Sequence, residues 1–551
     1  MTSALFNRRL PPMHSVLRWP LFLTSAASVI ILGTCYFFIR ALVSLNEWLH
    51  LPAKVRKLRN RLMSSKSTKE YRELARRMDL VTGLNAWKKT KFSQHYNTDL
   101  VEKHIFDLQA AKEKNDLNQL IRVLKACLCE ANFAGIINEA LYAQCWDGSK
   151  VIVEEYVNTV IMAICHLQAA LSCSPEHPNL RADIQELATM SSYGRTALFL
   201  SGGGSLATQH IGVMLTLRES GVCPDILCGT SGGAIVGAFF ATRSEEEIQA
   251  DCTSEKLCSM MTAFRFSWFT RLSRFIRKGA MFDAGEVYEL LGKWTQNDMT
   301  FMEAFKKTGK ILNVTVTTHG GNGHDPGVLL NYLTAPNVII RSAVLCSSAF
   351  PSFFEPVGLK EKNQEGKIVE RPLLKYADGS LVTDIPKEKL AAMFGVRFSI
   401  VSQVNPHVTP FFFNFKGEAG NPNLWRLGSQ SSFRGGFILS ATEAFVKEIM
   451  KAIVRFIRNM DLSPKVGGSP WVHVFTQNFA GDVTMTTTRY FWYKLLNALS
   501  DPVSAEEVRW WIREGSLMTW PKMSMIVSRM RIEKTLHDLA EAAFDKDVNL
   551  K

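Results

Sequence analysis

A serine flanked by glycines is the strongest chemical signal in the sequence. Residues 229–233 read GTSGG and fit the pattern G-x-S-x-G, with Ser231 at its centre. The apolar residues Ile226–Cys228 before it predict a short strand, and the Gly- and Ala-rich run after it predicts a helix. A turn this tight needs small residues two before and two after the serine, which Gly229 and Gly233 provide. We interpret Ser231 as a nucleophile above a helix N-terminus, with an ordinary glycine turn as the alternative.

A second glycine-rich loop precedes this serine. Residues 201–205 read SGGGS and follow a predicted strand. Consecutive glycines let backbone N–H groups approach a developing negative charge, so Gly202, Gly203 and Gly204 are candidates for an oxyanion hole. The alternative is a phosphate-binding loop, but neither G-x-x-x-x-G-K-[ST] nor G-x-G-x-x-G is satisfied.

The serine needs a base, and the best candidate is a carboxylate. Asp378 lies at a predicted strand end in the run YADGS, and burial can raise the pKa of a lone carboxylate towards neutral pH. His407 and His473 are poor candidates and are interpreted as structural histidines. Asp147 begins a second Asp-Gly-Ser in a helical region before Ser231, and it is interpreted as part of a turn.

The motifs SGGG, GTSGG and ADGS, in this order, resemble those of the patatin-like phospholipase family. The resemblance implies an α/β sheet, a Ser231–Asp378 dyad and an oxyanion loop at Gly202, Gly203 and Gly204. The flanking stretches Thr300–Val316, Ile400–Val408 and Thr519–Lys522 are similar to the triacylglycerol-lipase branch, which includes fungal lipid-droplet and plant oil-body lipases.

The sequence departs from the family pattern in three places. Ser205 follows the glycines where many members have a basic residue, and Ser380 stands where the family often has a second glycine after the aspartate. None of the 12 histidines has an aspartate five positions later, so the H-x-x-x-x-D acyltransferase motif of some fungal relatives is absent.

Around these motifs the sequence predicts an α/β fold. Strands at Ala197–Leu200, Lys310–Thr317, Gly327–Tyr332 and Arg397–Gln403 alternate with helices, which indicates a layered sheet with helices on both faces. We predict four regions: a basic N-terminal region at 1–65, a helical module at 66–185, the catalytic domain at 195–410 and a mostly helical C-terminal region at 411–551. The helical module resembles the domain that precedes the catalytic core in the triacylglycerol-lipase branch.

A membrane segment is predicted near the N-terminus. Trp19–Ile39 contains 21 residues without a charge, about the length of helix that crosses a bilayer. Residues 1–90 hold 16 Lys and Arg against 4 Asp and Glu, a net charge of +12 out of +13 for the chain. Basic residues concentrated beside an apolar segment suit lipid headgroups rather than nucleic acid. The heavier positive flank follows the segment, so we expect a cytosolic catalytic domain, with crossing and hairpin insertion both open. The resemblance implies residence at the endoplasmic reticulum or lipid droplets.

No cofactor or metal is expected. The 11 cysteines form no CxxC pair and have no histidine partners at zinc-ligand spacing, which is typical of reduced cytosolic thiols.

A further basic and aromatic segment covers residues 259–278. Its seven large apolar residues and five cations predict a helix in a lipid interface, and a core helix with a solvated basic face is the alternative. Three functions follow from these features together. They are hydrolysis of triacylglycerol, hydrolysis of phospholipid or lysophospholipid by the same mechanism, and a membrane-tethered lipid-binding scaffold. The sequence identifies no protein partner.

Overall fold

The structure is a computed structural model, and it describes most of the chain. The described residues are 12–173, 178–190, 192–264, 266–318, 327–351, 353–412, 414–423, 433–466, 469–470, 472–487 and 499–548.

An eight-stranded mixed β-sheet forms the centre of the molecule. Its strands are β1 (Arg195–Leu200), β2 (Ile226–Gly229), β3 (Ile311–Thr318), β4 (Val328–Leu330), β5 (Val357–Lys362), β6 (Ile368–Asp378), β7 (Val396–Gln403) and, numbered after four two-residue strands, β12 (Val483–Thr486). The short strands β8 (Gly417–Glu418) and β9 (Asn421–Pro422) pair with each other, as do β10 (Lys465–Val466) and β11 (Ser469–Pro470). The main strand order is β12-β7-β1-β2-β3-β6-β5, with β4 also paired to β3.

The five strands from β12 to β3 are parallel, and β6 then runs antiparallel to β3. Strands β1 and β2 contain the continuous apolar runs Ala197–Leu200 and Ile226–Cys228, because both faces of the sheet are covered. Strand β7 also buries polar side chains, among them Ser399, Ser402 and Gln403. The predicted α/β fold is therefore confirmed. The antiparallel β5–β6 pair was not predicted. The edge strand β12 lies beyond the predicted domain boundary at residue 410, so the sheet takes one strand from the C-terminal region.

Twenty-two α-helices surround or precede the sheet within the described residues. In the N-terminal part they are α1 (Pro12–His50), α2 (Ala53–Leu62), α3 (Thr68–Val81), α4 (Leu84–Lys89), α5 (Thr98–Glu113), α6 (Leu117–Cys127), α7 (Glu139–Tyr142), α8 (Val151–Cys173) and α9 (Pro178–Met190). Those between the strands are α10 (Thr208–Glu219), α11 (Gly232–Ala241), α12 (Glu245–Asp251), α13 (Ser254–Met260), α14 (Trp268–Lys278), α15 (Ala284–Thr295), α16 (Phe301–Thr308), α17 (Ile340–Ser348) and α18 (Lys387–Phe394). The C-terminal ones are α19 (Phe437–Asn459), α20 (His473–Thr476), α21 (Ala505–Thr519) and α22 (Met523–Val548).

The C-terminal helices are packed into the body of the molecule. Helix α21 crosses α10 at two glycines so closely that a Cβ on Gly212 would lie 1.8 Å from the carbonyl oxygen of Ile512. A Cβ on Gly515 would likewise lie 1.9 Å from the carbonyl oxygen of Gln209. Helix α22 packs against α8 and α9 of the N-terminal module and also contacts β1.

Two of the described helices are long and apolar enough to cross a membrane. Val151–Cys173 is a core helix, because its apolar residues pack against α5 and α22. Val16–His50 contains the predicted segment Trp19–Ile39, and one of its faces is exposed.

Helix α14 lies within the predicted lipid-interface segment, of which residue 265 is outside the described residues. Its apolar side chains Trp268, Phe269, Leu272 and Ile276 are exposed, whereas Arg271 is buried. The alternative of a core helix with a solvated basic face is therefore wrong.

Candidate active site

Ser231 lies in a sharp turn between β2 and α11. Its backbone has φ 52° and ψ −123°, a conformation that non-glycine residues rarely adopt. A Cβ on Gly233 would lie 2.1 Å from the carbonyl oxygen of Leu200, and a Cβ on Gly229 would lie 2.6 Å from the Cα of Ala234. The glycines at both positions are thus required by close backbone approach, as the motif predicts.

The end of α17 holds the backbone on both sides of the site. The Ser231 N–H donates to the Oγ of Ser347 at 2.9 Å, and Ser347 is fully buried. Just beyond the helix, the carbonyl of Ala349 accepts a hydrogen bond from the N–H of Asp378 at 3.0 Å. One helix end therefore fixes the two candidate catalytic residues relative to each other.

Asp378 is the last residue of β6 and is buried next to Ser231. The strand register places it opposite Val316 of β3, while Gly229 of β2 lies opposite Val314 on the other side of β3. Burial raises the pKa of Asp378 to about 6, and hydrogen bonds from Ser380 and from the Ser231 hydroxyl act in the opposite direction. A hydrogen-bonded carboxylate with this pKa can accept the serine proton near neutral pH.

Ser380, which stands where the family often has a second glycine, contacts the candidate base Asp378. The N–H of Ser380 donates to Oδ1 of Asp378 at 2.8 Å, and its side chain also bonds to the carboxylate. Between them, Gly379 is required, since a Cβ there would lie 2.5 Å from the carbonyl oxygen of Thr315.

The glycine loop runs alongside the serine turn, but its three glycines differ. The Gly202 N–H donates to Oδ1 of Asp384 at 3.1 Å, so this amide is not available to an oxyanion. The prediction for Gly202 is corrected for that reason. The N–H groups of Gly203 and Gly204 have no acceptor among the described residues. Gly204 has φ +59°, and its N atom would lie 3.4 Å from a Cβ on Gly232, the residue directly after Ser231.

A second buried carboxylate, Asp384, supports the loop. Besides the Gly202 amide, it accepts a hydrogen bond from Nδ2 of Asn405 at 2.8 Å, and its carbonyl accepts from the Thr230 hydroxyl at 2.8 Å. Burial raises the pKa of Asp384 to about 7, the Gly202 bond opposes this, and the neighbouring Asp378 raises it further.

Two histidines lie near the site, and burial lowers the pKa of each to about 4. The ring of His210 bonds to the Oγ of Ser402 and to the carbonyl of Ser201, so it supports the glycine loop. His407 lines the cavity above Ser231 and is hydrogen-bonded to the backbone of Val474, but its Nε2 is buried and has no partner among the described residues. A structural histidine is expected to have both ring nitrogens hydrogen-bonded, and His407 meets this expectation at only one of them. His473 does not line this cavity.

A cavity of about 500 Å³ opens onto Ser231 and Asp378. Its lining is mainly apolar and includes Ile235, Met261, Phe264, Leu291, Trp294, Phe350, Phe354 and Phe475. No Lys or Arg is among the described residues that line it. Such a lining is suited to an acyl chain and offers no cation for a phosphate.

The remaining chemically suggestive groups lie elsewhere. Asp147 is in the N-terminal module, where it forms ion pairs with Arg72 at 3.3 Å and Arg76 at 2.9 Å. His537, Asp538 and Glu541 lie close enough to share a metal ion, but none of them lines the cavity. All 11 cysteines are free thiols.

Ser347, Asp384 and Asn405 were not predicted as part of the site. Ser347 bonds to a residue 116 positions away, and Asp384 bonds to one 182 positions away. Asn405 lies in the stretch Ile400–Val408 that resembles the triacylglycerol-lipase branch, but that resemblance assigned it no role. Ser347 and Asp384 lie in no motif with a recognisable spacing, so only the folded structure reveals them.

Comparisons with known proteins identify the family of this chain. Residues 198–390 match a family model described as patatin-like phospholipase, and residues 48–186 match a domain of unknown function, DUF3336. The chain is 35% identical over 529 residues to triacylglycerol lipase ptl2 of Schizosaccharomyces pombe, which covers 95% of this chain and 82% of that protein. It is 34% identical to a patatin-like phospholipase domain-containing protein of Meyerozyma guilliermondii, covering 95% and 73% of the two chains. The solved structure of VipD from Legionella pneumophila has 14% identity to this chain and a TM-score of 0.25, and the match covers 61% of this chain and 67% of that one.

Proposed function

This chain belongs to the patatin-like phospholipase family and is a lipid ester hydrolase, and we propose that it releases fatty acid from triacylglycerol through a Ser231–Asp378 dyad. The observation that carries the mechanism is the buried carboxylate of Asp378, hydrogen-bonded to a serine in a strained turn at an apolar cavity.

In the proposed reaction, Asp378 accepts the proton of Ser231 as the serine oxygen attacks the ester carbonyl. The N–H groups of Gly203 and Gly204 stabilise the oxyanion, while Gly202 holds the loop in place through Asp384. The proton then passes to the leaving diacylglycerol oxygen. Water hydrolyses the acyl-enzyme, which releases fatty acid and restores Ser231.

Two observations support triacylglycerol over phospholipid. The described cavity lining lacks a Lys or Arg that could pair with a phosphate. The relative from S. pombe, 35% identical to this chain, is named a triacylglycerol lipase. A phospholipase of the same mechanism remains the second candidate, because the dyad itself does not select a headgroup.

We further propose that the enzyme acts at a membrane or lipid-droplet surface, with its catalytic domain on the cytosolic side. The apolar helix at Val16–His50 and the net charge of +12 in residues 1–90 support this location. Residence at the endoplasmic reticulum or lipid droplets is proposed from the resemblance to the triacylglycerol-lipase branch, to which the similarity with the S. pombe triacylglycerol lipase adds support.

The test is fatty-acid release by the purified full chain from triacylglycerol and from phosphatidylcholine. We expect turnover of triacylglycerol that falls about a thousandfold or more in Ser231→Ala and in Asp378→Asn. Ser149→Ala is the matched control, because Ser149 belongs to the other Asp-Gly-Ser, does not line the cavity, and has a buried hydroxyl with no partner in the described part of the chain.

The other outcomes each replace one part of the proposal. Faster release from phosphatidylcholine would retain the dyad and change the substrate. Activity that persists in Ser231→Ala would refute the dyad. Failure of the folded protein to react with a fluorophosphonate probe would favour the scaffold function.

A further inference from the structure

Helix α1 is attached to the catalytic domain along most of its length by α19. Near the start of α1, the Arg18 side chain donates to the carbonyls of Leu462 at 3.2 Å and Ser463 at 2.5 Å, just beyond the end of α19. Near the end of α1, Nδ2 of Asn46 donates to the carbonyl of Gly435 at 3.0 Å, just before α19 begins. The two helices therefore run antiparallel.

The contact between these ends covers the predicted membrane segment. Tyr36 is fully buried against Val446 and Met450, and Arg40 forms an ion pair with Glu443 at 3.8 Å. Further towards the N-terminus, Phe22 packs with the cluster around Ile457.

Helix α19 could not accompany α1 through a bilayer. Its 23 residues include six ionisable side chains, Glu443, Lys447, Glu448, Lys451, Arg455 and Arg458. Crossing by α1 would either place these groups in hydrocarbon, which is costly, or require α19 to detach from it. The observed pairing is instead compatible with both helices lying at a lipid surface.

The free face of α19 has the pattern of an interfacial helix. Ile438, Phe445 and Phe456 are exposed and, at 100° per residue, lie within about 20° of one another around the helix. The charged residues Glu448, Lys451, Arg455 and Arg458 lie to one side of this stripe. Helix α1 also exposes large apolar residues, including Ile30 and Phe38.

Helix α14, near the cavity, likewise exposes large apolar side chains beside basic ones. Phe269 is 86% exposed, and the helix carries four Arg or Lys and no acidic residue. Its Arg271 donates to the carbonyl of Leu499, which lines the cavity. On another side of the cavity, Phe475 belongs to α20, which packs against α19.

We propose that α1, α14 and α19 form one docking surface that inserts into the headgroup–acyl boundary of a single phospholipid leaflet. Both ends of α1 then remain on the side of the catalytic domain. The basic residues of α14 and α19 contact anionic headgroups, while the exposed aromatic residues enter the acyl layer next to the substrate cavity. This inference rests on the proposed action at a lipid surface and adds the residues and the mode of attachment.

The binding test uses full-length Ser231→Ala protein, so that its result is independent of catalysis. Co-sedimentation is measured with vesicles of phosphatidylcholine and phosphatidylserine. We expect Phe445→Asp and Phe269→Asp each to weaken binding about tenfold or more, because each removes an aromatic ring that inserts into the acyl layer and adds a negative charge beside anionic headgroups. Phe106→Asp is the matched control, since Phe106 is 70% exposed on α5, compared with 66% for Phe445. Equal binding by all these variants would refute the docking surface.

A second experiment tests the mode of attachment. An N-glycosylation acceptor is appended before Met1, and the full chain is synthesised in the presence of microsomes. We expect the acceptor to remain unmodified, while the microsomes bind the protein. Glycosylation would show that α1 crosses the bilayer and would overturn the inference. Absence of fatty-acid release by the wild-type protein would refute the proposed function, but it would leave the vesicle-binding and glycosylation results unchanged.

Discussion

At the scale of single residues, Asp378 and Asp384 are two buried carboxyl groups with different proposed tasks. Asp378 bonds to Ser231, the proposed nucleophile, whereas Asp384 bonds to the Gly202 amide and to Asn405. Burial raises the pKa of both, to about 6 and about 7. The protonation state of this pair should therefore control activity around neutral pH.

The pH profile of kcat/KM should depend on Ser380. Asp378 must be unprotonated to act as a base, so activity should fall as the pH drops through about 6. The Ser380 side chain lowers the pKa of Asp378, so Ser380→Ala should raise it and move the acidic limb to higher pH. Ser149→Ala should leave the limb in place. A limb that stays unchanged in Ser380→Ala, or moves to lower pH, would contradict the assignment of Asp378 as base.

Asp384 should act as a positioning residue for the glycine loop, and its side chain and that of its partner Asn405 should be interchangeable. Asp384→Asn places an amide opposite the Asn405 amide, so we expect kcat to fall about tenfold or more with little change in KM. The double variant Asp384→Asn/Asn405→Asp restores one donor and one acceptor and should recover most of the lost kcat. An equal loss in the single and double variants would show that the carboxylate is needed at position 384 itself.

At the scale of elements, the strand β2, the turn and helix α11 form a unit that tolerates no side chain at its inner glycines. Gly233 and Gly237 lie on the same helix, but only Gly233 faces the backbone of β1, where a Cβ would lie 2.1 Å from a carbonyl oxygen. The nearest atom to a Cβ on Gly237 is a flexible Leu312 side chain at 3.4 Å.

These two glycines should therefore respond oppositely to the same substitution. Gly233→Ala should abolish labelling of Ser231 by a fluorophosphonate probe and lower the unfolding temperature, because α11 must move away from β1. Gly237→Ala should keep the labelling, and its stability should be equal or higher by up to about 1 kcal/mol, since alanine favours helix. Normal labelling of Gly233→Ala would contradict the proposed geometry.

The sequence predicted the elements that are defined by local pattern. Strands β1, β2, β3 and β7 and the turn at Ser231 were anticipated within one or two residues because their apolar runs and glycines are contiguous. Only the end of β6 at Asp378 was predicted. The rest of β6 and the strands β5 and β12 join the sheet through long-range pairing, which leaves no comparable local pattern. The supporting residues Ser347 and Asp384 were missed for the same reason. The role of Gly202 could not be predicted because it depends on one such distant partner.

At the scale of the whole molecule, α22 joins the N-terminal module to the sheet. Arg529 is completely buried, and its guanidinium donates to the carbonyls of Tyr193 at 2.6 Å and Gly194 at 2.7 Å, directly before β1. Glu533, one turn later, lies 3.4 Å from Arg529 and accepts the backbone N–H of Thr196 in β1 at 2.8 Å. The same helix packs against α8 and α9.

The N-terminal module and the catalytic sheet should therefore lose structure together on heating. Arg529→Ala leaves two carbonyls and Glu533 without their buried partner, so we expect a loss of about 3–5 kcal/mol in the free energy of unfolding. Arg531→Ala, two residues along the helix at an exposed position, should have little effect. The measurement follows far-UV circular dichroism and fluorophosphonate labelling of Ser231 over one temperature series, and both midpoints should fall together in Arg529→Ala. If Arg529→Ala lowered the midpoint of the circular dichroism signal but left the midpoint of labelling at its wild-type temperature, α22 would not couple the two parts.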